Sequence, residues 1–324
     1  MPKYWMVTNR NRTGSQLGSE RAPLSWWVAD ETPLEDLSRW TRLPGGRFRD
    51  ELRTSAREYP MLPPTGEHEE QKHICLFVHG YNTDWAEAVR RYEGLCHGLF
   101  DGDAGLGTCV LFTWPSHGSP VDYLPDRAEA RESAPDLAEL LVLLYDGLLL
   151  NQTRALRSPG EACRAKTSLI AHSMGNYVLQ KAMQLAWSRK NKPLLVSLIN
   201  QLLMVAADVD NDLFASGERV DGSDGDAIAN LSYRISALYS GRDAVLGMSA
   251  GLKHFGKRRL GRSGLDRGVP RPDNVWDFDC SGLMPSDQPN IHSAYFDVSS
   301  TLDLMRDILR GTDRDVVRKR HEVR

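Results

Sequence analysis

The sequence predicts an α/β fold in which a mostly parallel, doubly wound sheet carries helices on both faces. Three observations predict it. Short apolar runs alternate with segments of helical period along most of the chain, the pattern of parallel strands joined by crossover helices. Several of those runs end directly in a polar residue or a tight turn, as strands do where an open sheet meets a ligand crevice. The chain has 324 residues, 41% of them hydrophobic and 26% charged, enough to build a sizeable core.

The elements follow in order. A first strand is expected over residues 4–8. Residues 14–71 are poor in apolar side chains, rich in Arg and Glu, and broken by Pro and Gly, as in Leu43-Pro44-Gly45-Gly46 and Leu62-Pro63-Pro64. They read as a long excursion with a short hairpin or helix. The central strands are expected over residues 73–78, 108–113, 166–171, 201–207, 233–239 and 274–280. An amphipathic segment spans 85–100, Trp114-Pro115 ends the second of these strands, and a helix over 176–188 follows the third. The last helix, over 301–310, stops at Gly311. No internal repeat and no long linker divides the chain, so residues 1–324 read as a single domain with 14–71 as an N-terminal excursion.

Composition narrows the function. The net charge of −3 gives no general attraction for nucleic acid or anionic membrane. The five cysteines are odd in number, scattered and free of any Cys-x-x-Cys pair, which argues against a disulfide framework or a cysteine zinc site and for a reducing compartment. The N-terminal apolar run from Tyr4 to Val7 is too short for a signal peptide, and the stretch 137–150 carries Glu139 and Asp146 and is too short to span a bilayer. A cytoplasmic protein without stable membrane insertion, cofactor or metal is expected.

The chemistry centres on Ala171-His172-Ser173-Met174-Gly175, between an apolar strand and a helix. A sharp strand-to-helix turn with small neighbours lifts a serine hydroxyl clear of the sheet, and the following helix points its positive end at the charge that develops in acyl transfer. Serine is a weak nucleophile and needs an imidazole oriented by a carboxylate. In folds with this elbow the chain order is serine, acid, histidine. Three histidines follow Ser173. His321 lies in a charged tail and His254 in a basic segment of helical appearance. His292 lies after the last strand and before the last helix, where it can reach back over the sheet, and is the expected base. Two acids compete. Asp243 follows the strand at 233–239, in the usual loop for the acid, and is preferred over Asp208, which is expected to brace its loop through backbone amides. His79-Gly80-Tyr81-Asn82 suits the second half of an oxyanion hole: the amide of Tyr81, or alternatively of Asn82, would act with the amide of Met174. His79 itself reads as structural.

Taken together, the segments resemble the bacterial α/β-hydrolase family described as alpha/beta hydrolases of unknown function. The resemblance rests on Phe77-Val78-His79-Gly80-Tyr81-Asn82-Thr83, on Phe112-Thr113-Trp114-Pro115-Ser116 with Asp122, Tyr123 and Asp126, and on Ala171 to Asn176. It continues through Ala207-Asp208-Val209-Asp210 with Phe214, Tyr239-Ser240 with Asp243 and Ser249, Arg259-Leu260-Gly261 with Gly264, and His292-Ser293. Val7-Thr8-Asn9-Arg10 adds to it. The resemblance implies an α/β-hydrolase fold with Ser173 as nucleophile, Asp243 as acid and His292 as base, and supplies no substrate. The expected activity is hydrolysis of a small-molecule carboxylic ester or thioester through an acyl-enzyme. Acyl transfer by the same residues, or a non-catalytic scaffold on this fold, are the alternatives.

Of the aromatic residues near the strand ends, Trp114, Tyr123 and Phe214 are candidates to line an acyl pocket, against a plain packing role. The run from Lys253 to Arg259 reads as a solvated basic face. The acidic loop from Asp221 to Asp226 lacks the Glu of a calcium loop and reads as turn chemistry.

Overall fold

The computed structural model describes residues 3–60, 71–102, 104–118, 122–157, 165–189, 197–215, 224–253 and 256–323. Cys163, His254 and residues 221–223 of the acidic loop lie outside them. In chain order, β1 (Tyr4–Thr13) and β2 (Gln16–Ala29) form a hairpin, followed by β3 (Thr41–Leu43) and α1 (Gly45–Arg57). Strand and helix then alternate: β4 (His73–Val78), α2 (Trp85–Leu95), β5 (Gly107–Thr113), α3 (Tyr123–Arg157), β6 (Lys166–His172), α4 (Gly175–Arg189), β7 (Ile199–Val205), α5 (Asp224–Leu231) and β8 (Ser232–Tyr239). The short helices α6 (Ala244–Met248) and α7 (Leu260–Ser263) precede β9 (Val275–Asp279), and α8 (Ile291–Ala294), α9 (Ser299–Leu309) and α10 (Arg314–His321) complete the chain.

The strands form one sheet in the order β3-β2-β1-β5-β4-β6-β7-β8-β9. Only the β1–β2 and β2–β3 pairs are antiparallel, so the expected mostly parallel, doubly wound sheet is what forms. Side chains alternate across it. Ile74, Leu76 and Val78 face one core with α1, α3, α4 and α5, while Cys75 and Phe77 face the other with α2 and α9. Helix α2 shows why each cover helix forms where it does. Asp84 caps it by accepting from the Glu87 amide at 2.8 Å, and Trp85, Ala88, Val89, Tyr92 and Leu95 make a buried stripe at helical spacing. Beyond Leu95 the backbone widens into a π-helical turn over Cys96–Phe100, where the sequence suggests uninterrupted helix.

The region 14–71 departs from expectation. Rather than an excursion, its described part supplies β2, β3 and α1 to the main sheet and its cover. β2 sits near the sheet edge, and most of its first ten residues are exposed or half-buried, so polar side chains populate it and mask the strand pattern. Its far end is apolar: Trp26 pairs with Val7 across the hairpin and packs on Phe48 of α1.

Register aligns the strands' carboxyl ends. Val78 stands beside Ala171, His172 beside Val205, and Val205 beside Leu238. The residues that follow β4, β6, β7 and β8 therefore share one rim. The antiparallel hairpin is tied to that rim by a buried cation. Arg10 donates to the carbonyls of Gly18, Ser116 and Thr83 and to the Thr113 hydroxyl, and burial pulls its pKa down to about 10. Asn9 adds bonds to Ser133 and Asp136 of α3. Replacing Arg10 with Met leaves these acceptors without their donor, at about 1–3 kcal/mol for each one left buried and unsatisfied. Arg10→Met is expected to lower unfolding stability in urea by about 2–4 kcal/mol; a loss below about 1 kcal/mol would show that the cation is dispensable.

Candidate active site

Ser173 stands between β6 and α4 with φ +52°, the left-handed region that side-chain-bearing residues seldom adopt. The turn closes because glycine flanks it in space and in sequence. A Cβ on Gly80 would come within 2.6 Å of Ser173 Cβ, and one on Gly175 within 2.4 Å of the His79 carbonyl oxygen. Around the turn, the Ser173 amide donates to Val205, and the Ser173 carbonyl accepts from the amides of Asn176 and Asp208. The buried Asn176 side chain donates to the carbonyls of Ala171 and Ser173.

His292, on the single helical turn α8, brings its Nε2 to 2.7 Å from Ser173 Oγ. Its Nδ1 lies 2.7 Å from Asp243 Oδ2. The carboxylate accepts, so Nδ1 carries the proton and Nε2 is left to accept from the serine hydroxyl. Asp243 is held by two further contacts: its Oδ1 caps α6 by accepting from the Leu246 amide, and its carbonyl accepts from Arg262. All three side chains are buried, at 1% exposure for Ser173, 0% for Asp243 and 7% for His292. Of the three histidines after Ser173, His321 instead binds Asp307, 3.0 Å away.

Asp208, the other acid, serves a different purpose. Its Oδ1 accepts from Arg259 Nε at 2.8 Å and from Ser249, and its Oδ2 accepts from the Tyr123 hydroxyl at 2.7 Å. It braces the rim through side chains. Arg259, expected on a solvated basic face, is 1% exposed and paired with Asp208 and Asp210. Two carboxylates within reach offset the desolvation of its guanidinium, and this corrects the reading of that run.

The loop after β4 carries the second candidate donor. The Asn82 amide donates to Asp126 Oδ2 at 3.0 Å and is committed there. The Met174 amide, between β6 and α4, donates to no acceptor among the described residues. Asp126 also binds the Ser116 hydroxyl and both the amide and ring of His117. His79 is structural, as expected. Trp114 N–H donates to its Nε2, so Nδ1–H donates to the Gly80 carbonyl. The Trp114 ring stacks on His79 at 7° between planes and is fully buried, so it packs the loop after β4 rather than facing a pocket. Tyr123 and Phe214 are also buried. A cavity of about 430 Å³ lies elsewhere, under α1 and α3, lined by Trp26, Phe48, Leu52, Leu76, Val110 and Leu140 among others, and none of these three aromatics borders it.

Sequence reasoning passed over several supporting residues. His172 is given no role there, yet it bonds the His292 carbonyl. Arg242 donates to four carbonyls between Ser281 and Ser286, pinning the loop that leads to His292. The signal for Arg242 was its adjacency to Asp243; nothing local marks its partners. Among the described residues, no group of three or more His, Cys, Asp or Glu is arranged to hold a metal ion.

The profile of the family described as alpha/beta hydrolase of unknown function matches residues 64–272, which include Ser173 and Asp243 and end before His292. An uncharacterized protein of Nostoc is 29% identical over 129 residues, 33% of this chain; the match spans 30% of that relative's length. Among solved structures, Aspergillus fumigatus lipase B is similar over 95% of this chain and 67% of its own, at 13% identity and TM-score 0.39. EstE7, an HSL homologue from a metagenome library, is similar over 87% of this chain and 100% of its own, at 13% identity and TM-score 0.35.

Three buried imidazoles outside the serine contact shape stability. Burial pushes the pKa of His73 down to about 4 and those of His79 and His172 well below the ordinary value. Near pH 6.5 the unfolded chain binds these protons and the native chain does not, so stability is full above that pH and falls as pH drops below it. The urea midpoint is expected to be lower at about pH 5.5 than at about pH 7.5; equal midpoints would contradict this account of the buried imidazoles.

Proposed function

The chain belongs to the family of alpha/beta hydrolases of unknown function, and from that premise we propose that it is a serine hydrolase cleaving a carboxylic ester or thioester through an acyl-enzyme intermediate. The observation that carries the reading is the unbroken hydrogen-bond chain from Ser173 Oγ through His292 to Asp243, with 2.7 Å at each link.

In the proposed cycle, His292 Nε2 takes the hydroxyl proton as Ser173 Oγ attacks the carbonyl carbon. Asp243 holds the imidazole in the tautomer with Nδ1 protonated and stabilises the imidazolium. The oxyanion of the tetrahedral intermediate accepts from the amides of Met174 and Tyr81, at the positive end of α4. Collapse breaks the bond to the leaving oxygen or sulfur, which takes the proton from Nε2. A water molecule then attacks the acyl-enzyme and passes its proton to His292, which returns it to Ser173 Oγ as the bond from that oxygen to the acyl carbon breaks and the carboxylic acid leaves. Side chains and backbone amides of this one chain carry every step.

Steady-state hydrolysis of p-nitrophenyl esters of graded acyl length tests the reading. Ser173→Ala is expected to lower kcat by about 10⁴-fold or more and Asp243→Asn by about 10³–10⁴-fold. Asp208→Asn should instead lose about 3 kcal/mol of stability, with turnover at low temperature within about tenfold of wild type. Folded Asp208→Asn protein as impaired in turnover as Asp243→Asn would overturn the choice of acid. No turnover of any ester by the folded wild-type chain would overturn the activity.

A further inference from the structure

We propose that His172 is a positioning residue of this site, a hydrogen-bond strut that fixes the main chain of His292 by donating its Nε2–H to the His292 carbonyl. The consequence for turnover rests on the serine-hydrolase reading; the strut itself does not. The Nε2 to carbonyl distance is 2.8 Å, and on the other side of the ring Arg91 Nη1 lies 3.0 Å from Nδ1.

The two neighbours fix the tautomer between them. A guanidinium only donates, so Nδ1 must be the bare, accepting nitrogen. A carbonyl only accepts, so Nε2 must carry the proton. A second proton would place an N–H on Nδ1 directly against the Arg91 cation, in a site from which water is excluded. Burial first, then Arg91 and His292, hold the imidazole in its neutral form. The charged and titratable groups around the ring are Arg91 with Glu87 behind it on α2, His79 beyond β4, and His292 itself.

The strut matters because it acts on the main chain of His292, whereas the bonds to Ser173 and Asp243 hold only its ring. Helix α8 is one helical turn with no side-chain cap at its start. Arg91, anchored by Glu87 Oε1 at 2.7 Å, makes a second attachment by donating to Ser293 Oγ at 3.2 Å. Helix α2 thus holds residues 292 and 293 through one neutral imidazole and one guanidinium. The rings of His172 and His292 are 4.9 Å apart, close enough that a charge on the first would oppose the imidazolium the second forms. A fixed neutral ring supplies the contact without that repulsion.

His172→Phe keeps the ring's bulk and removes the donor. It is expected to lower kcat on a nitrophenyl ester by about 10–100-fold with KM within about threefold, since a small misplacement of a reacting group costs on that order. His172→Gln, whose amide nitrogen reaches the place of Nε2, should recover most of that loss. The Phe variant at wild-type kcat, or a loss confined to KM, would overturn the proposal. Nitrogen-15 spectra of histidine-labelled wild-type protein decide the strut without reference to activity. His172 should read as neutral with Nε2 protonated at about pH 6, and in Arg91→Met the proton should stay on Nε2, because the His292 carbonyl still only accepts. A wild-type His172 that is protonated on Nδ1, or charged at that pH, would overturn the strut. An enzyme inactive on all esters with the expected spectrum would instead overturn the hydrolase reading alone.

Discussion

The left-handed backbone at Ser173 is a conformation that a residue with a Cβ keeps only where its surroundings over-determine it, at a cost of about 1–3 kcal/mol. Much of the rim is arranged to meet that demand. The amide of Ser173 is held by β7, its carbonyl by the amides of Asn176 and Asp208, and its Cβ presses on a position that admits only hydrogen. The same turn starts α4, so the helix's positive end and the Met174 amide, which has no acceptor among the described residues, both adjoin Ser173. A relaxed turn would lose the hydroxyl's height above the sheet, its place opposite His292 and its amide donor at once.

A second theme is how the rim holds buried polar groups. Guanidinium groups only donate and carboxylates only accept, and each finds partners able to take the opposite role. Arg10 meets three carbonyls and a hydroxyl, Arg259 meets two carboxylates, and Asp126 gathers two amides, a hydroxyl and an imidazole. Three imidazoles stand near Ser173, and their partners divide the work. His79 and His172 each have both ring nitrogens committed to the scaffold, and burial keeps them neutral. Only His292 of the three faces a hydroxyl on one side and a carboxylate on the other, the arrangement that the proposed proton transfer requires.

Much of this was legible beforehand because it is local. Apolar runs, an elbow motif between strand and helix, and polar residues just after strands point to the parallel sheet, and chain order selects residues 173, 243 and 292, which lie within bonding reach of one another. What escaped is not local. β2 lies next to the edge strand β3, its polar first half imitates a loop, and only its pairing with β1 and β3 makes it part of the sheet. Arg259 looks like a surface cation until Asp208 and Asp210 are brought against it from 50 residues away in sequence, a tertiary contact that no spacing announces. Trp114 sits at the right strand end to line a pocket, but its stacking on His79 turns it into packing.

The proposed chemistry depends on a serine made nucleophilic by its neighbours rather than by its position alone. The most direct measurement is peptide mapping by mass spectrometry after the folded protein has reacted with a fluorophosphonate. The account predicts one phosphonyl adduct, on the peptide containing Ser173, formed much more slowly when His292 is replaced by Ala. An adduct on another residue, or an unmodified Ser173 after prolonged exposure of folded protein, would contradict it.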